Sequence, residues 1–118
     1  MPETSSYILI ASVDVDAQHE DLFNEIYDTE HIPHLLAVPG VLNVTRWKGQ
    51  PFDLCIGGEV KPMSAPAPVY TAIYELDSPD VMHSKEWAEA VEKGRWASEV
   101  RPFTRNRVHA LYKSNAPA

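Results

Sequence analysis

The sequence predicts an α+β fold of four strands and two helices in the order βαββαβ. Four runs rich in apolar, β-branched and aromatic residues indicate the strands, and they occupy residues 6–16, 41–48, 69–76 and 103–112. Helical periodicity of apolar residues separates the first strand from the second and the third from the fourth. Because this order is that of the split βαβ unit, we expect a ferredoxin-like domain with a four-stranded antiparallel sheet, spanning residues 1–118.

The first strand and the helix after it carry the clearest patterns. Residues 6–16 (SYILIASVDVD) are apolar with little polar alternation, which indicates a strand covered on both faces. A helix is expected from Ala17 to Glu30, with Asp16 as its N-cap. Its apolar stripe is formed by Leu22, Phe23, Ile26 and Tyr27. Pro33 disfavours helical geometry at the residue before it, so we expect the helical path to break there.

Two further segments complete the predicted elements. Residues 49–68 contain several prolines and predict a long loop, in which Cys55, the only cysteine, is expected to be a buried small side chain. Ser78 and Ser84 are expected to cap helical turns before the fourth strand. The helix that follows should end at Gly94. Its buried face is predicted to carry Trp87, Ala88 and Val91.

A second copy of the chain is the expected partner. Two helices on one side of a four-stranded sheet leave the other face bare, yet the first strand is apolar on both faces. Since an exposed apolar sheet face is an association site, we expect two sheets to pack face to face as a homodimeric α/β barrel.

Composition removes several classes of function. The formal charge of −7 and the absence of a continuous basic run argue against nucleic acid binding. No stretch approaches the roughly 20 apolar residues that a membrane span needs. The N-terminus, MPETSSYILIAS, lacks the pattern of a signal peptide, so a cytoplasmic location is expected. The expected partner besides a second copy is a small molecule.

Tyr27, His31 and His34 form the first candidate constellation. His31 is expected at a helix end, where unpaired carbonyls favour the imidazolium form, and imidazole suits proton transfer near neutral pH. The alternative is that His31 only caps the helix and that His34 faces solvent. The two histidines have the i, i+3 spacing of metal ligands, but Pro33 interrupts that geometry and no third ligand is evident, so no metal site is expected.

Two tyrosines on the third predicted strand are the second candidate feature. By strand alternation Tyr70 and Tyr74 share one face, and Glu75 takes the other. If the tyrosines face the interior of the barrel, they form pocket walls with hydroxyl groups that can bind a ligand. If they face the helices, they are core residues, and the sequence leaves both arrangements open.

Residues 94–106 (GRWASEVRPFTRN) bring the third set of candidates close to the last strand. Arg101 could bind a carboxylate or enolate, or it could pair with an acidic side chain of this chain. Trp96 and Asn106 lie nearby in the sequence, and Trp96, like Trp87, suits the core as well as a pocket.

Three segments resemble the EthD-like and related small bacterial proteins of the dimeric α/β-barrel superfamily. They are YDTEHIPHLLAVPGVLNVTRW, YTAIYELDSPDVMHSKEW and GRWASEVRPFTRNRVHALY. The superfamily includes cofactor-free monooxygenases, muconolactone-type isomerases, polyketide cyclases and dehydratases, and haem enzymes. The resemblance implies that His31 of the HIP motif lies at the mouth of a cavity, with Tyr27 one turn earlier and Arg46 on a neighbouring strand. No counterpart of a proximal haem histidine can be aligned.

These features together predict a homodimeric enzyme with cofactor-free acid–base chemistry of the isomerase, lyase, dehydratase or cyclase type. Its substrate would be a small, apolar, oxygenated compound of catabolic or secondary metabolism. His31 would move a proton, Tyr27 would bind the substrate oxygen, and Arg46 or Arg101 would stabilise developing negative charge. The substrate-binding residues would be His34, Tyr70, Tyr74, Trp96, Arg101 and Asn106. The alternatives are a non-catalytic protein that binds a hydrophobic ligand, an accessory protein of an oxygenase system, and a cofactor-free monooxygenase.

Overall fold

A four-stranded antiparallel sheet with the order β2-β5-β1-β6 dominates the computed structural model, which describes residues 6–115. The six strands are β1 (Tyr7–Val15), β2 (Val41–Lys48), β3 (Phe52–Ile56), β4 (Glu59–Met63), β5 (Tyr70–Leu76) and β6 (Thr104–Lys113). The α+β class and the ferredoxin-like arrangement are confirmed. Residues 1–5 and 116–118 of the predicted domain lie outside the described range.

The first helical segment does not break at Pro33, so that prediction was wrong. A short 3₁₀ turn, Ala17–His19, leads into α1 (Glu20–Ile26), a π turn (Tyr27–His31) and α2 (Ile32–Leu36). In the π turn the backbone N–H of Ile32 bonds to the carbonyl of Tyr27, five residues back. Pro33 then lies in the first turn of α2, where its missing N–H costs little, and the wide turn before it lets the helical path continue.

The second helical segment begins as predicted and ends earlier. The Ser78 and Ser84 hydroxyl oxygens accept hydrogen bonds from the backbone of Asp80 and Trp87, which confirms both caps. The regular helix α3 is short (Lys85–Ala90), and a second π turn (Trp96–Val100) follows it. Its buried side chain is that of Ala90, whereas Ala88 is exposed, so Ala88 was wrongly placed on the buried face.

The hydrophobic core lies between the sheet and the two helical segments. Strand β5 alternates strictly, with Tyr70, Ala72, Tyr74 and Leu76 buried. The two tyrosines therefore face the helices, which decides between the two arrangements that the sequence left open. Glu75 lies on the opposite face and accepts a hydrogen bond from the side chain of Asn43. From the helical side, Phe23, Ile26, Leu35, Trp96 and Val100 complete this core.

The other face of the sheet, which we call the bare face, is also apolar. Its register places Ile10 of β1 between Ile73 of β5 and Ala110 of β6. By the same register the exposed side chains of Trp47, Val108 and Tyr112 share this face. The first strand is therefore apolar on both faces, as the sequence indicates.

The segment between β2 and β5 is a hairpin, so the prediction of an irregular loop over residues 49–68 was wrong. Strands β3 and β4 pair with each other alone, and every residue of both is exposed. Gly57 and Gly58 close the turn with φ of 61° and 82°, values that glycine adopts without strain. Cys55 lies on β3 and is exposed, so its predicted burial was also wrong. We call this hairpin the arm.

Candidate functional site

A cavity of about 330 Å³ lies under the helices, against the face of the sheet that carries the core. Leu9, Ala11 and Val13 of β1 form its apolar floor. Trp87 and Trp96 contribute aromatic walls from the helical side. A concave site of this size, in which apolar walls are combined with polar side chains, is typical of small-molecule binding.

His31 is the buried imidazole of this cavity. It lies on the π turn between α1 and α2, and its side chain is only 5% exposed. Its ring stacks on that of Trp96 at 4.2 Å between centroids, and the Tyr27 ring meets it edge-on at 5.0 Å. The Nδ1 atom is buried and has no hydrogen-bond partner within residues 6–115. Because a buried polar atom without a partner is costly, this nitrogen is a natural contact for a ligand.

The charge of His31 differs from the expectation of a cationic helix end. Burial lowers the pKa of His31 to about 3, and the positive charges of Arg101 and His34 contribute in the same direction. The helical path continues past His31 to Leu36, so the unpaired carbonyls that would favour an imidazolium lie further along the chain. The imidazole is therefore neutral at physiological pH.

Tyr27 and Tyr74 form a buried pair of hydroxyl groups in the same cavity. Their oxygens are 2.5 Å apart. Burial raises the pKa of both side chains, so each keeps its proton at neutral pH. Two hydroxyl protons serve one mutual hydrogen bond, and the second proton is therefore free to be donated to a ligand oxygen.

Arg101 lines the cavity and is already paired with an acid. Its guanidinium donates to both carboxylate oxygens of Glu92, at 3.1 and 2.6 Å, and to the carbonyl oxygen of Val91 at 2.7 Å. Glu92 lines the cavity as well, so the two charges compensate each other. The structure thus shows the pairing alternative for Arg101, at a position beside the cavity.

Arg46 and Tyr70 lie outside the lining of this cavity. The Arg46 guanidinium bonds to the side chains of Asp28 and Asn24, at 2.8 and 2.6 Å. It also lies 4.6 Å above the ring of Tyr27, so it touches the back of the tyrosine pair. The Tyr70 hydroxyl donates to Glu20 in a shallow polar groove on the other side of α1.

His34 and Asn106 are also outside the lining. His34 is half-buried on α2. Asn106 is exposed, has a positive φ of 58° and donates to the carboxylate of Asp14 at 3.0 Å. The register between β1 and β6 shifts at this point, so Asn106 forms a bulge in β6. Within residues 6–115 the structure assembles no group of three or more His, Cys, Asp or Glu side chains suited to a metal ion.

Of the nine predicted site residues, the cavity gathers Tyr27, His31, Tyr74, Trp96 and Arg101. Sequence reasoning missed Arg107 and His109 of β6, which line the cavity too. Their spacing of two residues places them on one strand face, and that signal was visible in the sequence. The sequence does not show that this face of β6 is the one turned toward the helices, and only the structure does.

The fold of this chain is similar to the folds of solved EthD family and MhuD structures, which agrees with the resemblance to EthD-like proteins. An EthD family protein from Bacillus halodurans aligns with a TM-score of 0.56 at 14% identity, over 92% of this chain and 97% of that one. The heme-degrader MhuD from Mycobacterium tuberculosis, with two hemes in its active site, aligns with a TM-score of 0.55 at 14% identity. The alignment covers 95% of this chain and 98% of that one.

A MhuD variant with two manganese protoporphyrins in each active site gives a TM-score of 0.60 at 12% identity, over 95% of this chain and 97% of that one. The sequence matches no protein-family model and no curated protein. At these identities the similarity establishes the fold alone. None of the described helices has the length and apolar character to cross a membrane.

Proposed function

We propose that the protein is a cytoplasmic homodimeric enzyme that carries out acid–base chemistry on a small, apolar, oxygenated compound. The single observation that supports this proposal is the buried, neutral imidazole of His31 in the cavity, whose Nδ1 has no hydrogen-bond partner among the described residues. A neutral imidazole can accept a proton, and the tyrosine pair beside it can donate one.

The proposed step is a proton shift next to a carbonyl group. An imidazole nitrogen of His31 takes the proton from the α-carbon, and the C–H electron pair moves into the carbonyl to form an enolate. The spare hydroxyl proton of Tyr27 and Tyr74 stabilises the enolate oxygen. Return of the proton to another carbon completes an isomerisation. The negative charge that develops beside His31 raises the pKa of the imidazole, which strengthens a base that burial weakens.

Arg46 supports this step from outside the cavity. Its guanidinium lies over the Tyr27 ring, and its positive charge opposes the rise in the pKa of Tyr27 that burial causes. Arg46 is therefore a positioning residue for the tyrosine pair. The direct contact with the substrate that the sequence suggested is made instead by groups inside the cavity.

Haem is a less suitable ligand for this cavity than a smaller molecule. His31 and His109 could each offer a neutral imidazole to a haem iron. The volume of about 330 Å³, however, is at the lower end of the range for small-molecule sites, and it favours one or two rings over a porphyrin. No step of the proposed mechanism therefore involves haem.

Deuterium exchange of a simple ketone tests this function. α-Tetralone, a two-ring ketone, is incubated with the protein in D₂O, and NMR follows loss of its α-protons. We expect exchange above the buffer rate, and a loss of at least about 100-fold in His31→Gln. His83→Gln, at an exposed histidine, is the matched control and should keep the wild-type rate.

The outcomes of this experiment separate the classes of function. Exchange that survives in His31→Gln contradicts the role of His31 as base. Binding of α-tetralone without exchange contradicts the enzyme proposal and supports the second candidate, a non-catalytic ligand-binding or accessory protein, because the apolar cavity alone carries that function. If α-tetralone does not bind at all, both the enzyme proposal and the ligand-binding alternative are contradicted.

The homodimer of this proposal is supported by the bare face. Its exposed side chains include Trp47, Val108 and Tyr112, which a second sheet would cover. Sedimentation equilibrium should give twice the chain mass, and Val108→Glu should weaken self-association by at least about 100-fold, because it buries an unpaired charge. Leu36→Glu, at an exposed leucine of α2, is the matched control. A wild-type monomer would contradict the proposal.

A further inference from the structure

The five arginines of the chain are not equivalent. Four of them pair with a carboxylate: Arg46 with Asp28, Arg95 with Glu30, Arg101 with Glu92 and Arg105 with Asp16. Arg107 has no ion pair within residues 6–115, and its one side-chain hydrogen bond is a long one of 3.5 Å to the hydroxyl of Thr104. In a chain with a net charge of −7, this arginine has no acidic partner in the part of the chain that the structure describes.

Arg107 also lies at the cavity. It lines the cavity from β6, together with His109 on the same strand face. The bulge at Asn106 offsets the alternation of β6, so Arg105 pairs across from Asp14 while Arg107 turns toward the helices. By alternation Arg107 shares the face of His109, and the bulge at Asn106 places Arg105 on the opposite face.

The charges around the cavity sum to a positive value. Among residues 6–115, Glu92 is the one acidic side chain of its lining, and Arg101 neutralises it through two hydrogen bonds. His31 is neutral, and burial together with the Arg107 charge lowers the pKa of His109. The exposed side chain of Arg107 therefore has no compensating carboxylate among the described residues that line the cavity.

We propose that the ligand of this cavity carries a carboxylate that pairs with Arg107, while its apolar rings lie among the aromatic walls. This inference rests on the proposed use of the cavity and adds a class of substrate, the aromatic or alicyclic carboxylic acids. A guanidinium can donate two parallel hydrogen bonds to a carboxylate, a geometry that a neutral amide of the same shape cannot use.

A matched pair of probes tests the inference by calorimetric titration. β-Naphthoate and β-naphthamide have the same rings and differ in the charge of one group. The wild-type protein should bind the carboxylate at least about tenfold more tightly than the amide. Arg107→Gln should abolish this preference and leave the affinity for the amide unchanged. Arg105→Gln removes the same charge from the opposite face of β6 and should keep the preference.

Each of the other outcomes overturns the inference and shows which part of it is wrong. Equal affinity of the wild-type protein for both probes, or a preference that survives in Arg107→Gln, removes the role of Arg107 and leaves the cavity as a binding site. Binding of neither probe by a protein that still exchanges α-tetralone overturns the inference and leaves the proposed function in place. A change in sedimentation of Arg107→Gln with an unchanged preference assigns Arg107 to contacts between copies of the chain.

Discussion

The two faces of the sheet differ in what they bury. Under the helices, aromatic rings contact one another and enclose polar atoms, namely a hydroxyl pair and an unpaired imidazole nitrogen. The bare face presents aliphatic side chains such as Ile10 and Ile73 at its centre, with Trp47 and Tyr112 more than half exposed to solvent. Burying polar groups lowers stability unless they find hydrogen-bond partners. An exposed apolar face, in contrast, is stabilised by contact with another apolar surface. The first face is therefore suited to a ligand and the second to a protein surface.

The largest expected difference is between two phenylalanines. Phe23 is 1% exposed in the core, and Phe52 is 50% exposed on the arm. We expect Phe23→Ala to lower the free energy of unfolding by about 3 to 5 kcal/mol, because it leaves a cavity in a packed cluster. Phe52→Ala should change the free energy of unfolding by less than about 1 kcal/mol. Urea denaturation measures both.

The comparison of the two phenylalanines also tests whether the arm is exposed in solution. If Phe52→Ala costs as much as Phe23→Ala, the arm is packed against a second copy in solution rather than exposed. Repeating the measurement in the Val108→Glu background then shows whether that packing depends on the bare face.

The sequence was informative wherever one periodicity applied over a whole element. Alternation in residues 69–76 and the serine caps Ser78 and Ser84 predicted local structure correctly, because backbone geometry and capping are local properties. Pro33 misled because a π turn accommodates it, and in that turn the Tyr27 ring contacts Trp96, which is distant in sequence.

The arm and the cavity could not be predicted for related reasons. Prolines in residues 49–68 outweighed the alternation of Phe52, Leu54 and Ile56, although the Gly57-Gly58 pair is a hairpin signal. The cavity requires knowing which face of β6 turns toward the helices, and the bulge at Asn106 changes that face within one strand. A single sequence does not reveal such a bulge.

The second prediction concerns the pH dependence of stability and compares a buried histidine with an exposed one. The pKa of His31 is about 3 in the folded protein and about 6.5 when unfolded, so the unfolded chain binds an extra proton between these values. Stability is therefore fully present above pH 6.5 and is lost as the pH falls toward 3. Between pH 7 and 4.5 we expect His31 to account for about 2 to 3 kcal/mol of this loss.

A phenylalanine at position 31 isolates that contribution. His31→Phe keeps a ring against Trp96 and removes the titrating group, so the decline in unfolding free energy on acidification should be smaller by that amount. His83→Phe, at an exposed histidine, should decline as the wild type does. Parallel pH profiles for wild type and His31→Phe would show that water reaches the imidazole in the folded state.

The smallest expected effect compares one tyrosine from each face of the sheet. Tyr74 is 3% exposed and shares its hydroxyl hydrogen bond with Tyr27, whereas Tyr112 is 55% exposed on the bare face. Tyr74→Phe leaves the Tyr27 hydroxyl buried without its partner, so we expect a loss of about 1 to 2 kcal/mol in urea denaturation. Tyr112→Phe should change stability by less than about 0.5 kcal/mol. A neutral Tyr74→Phe would mean that Tyr27 finds another partner in the cavity, such as water or a retained ligand. In that event, mass spectrometry of the native protein should detect any retained ligand. A ligand found there would make the hydroxyl pair a direct contact to it.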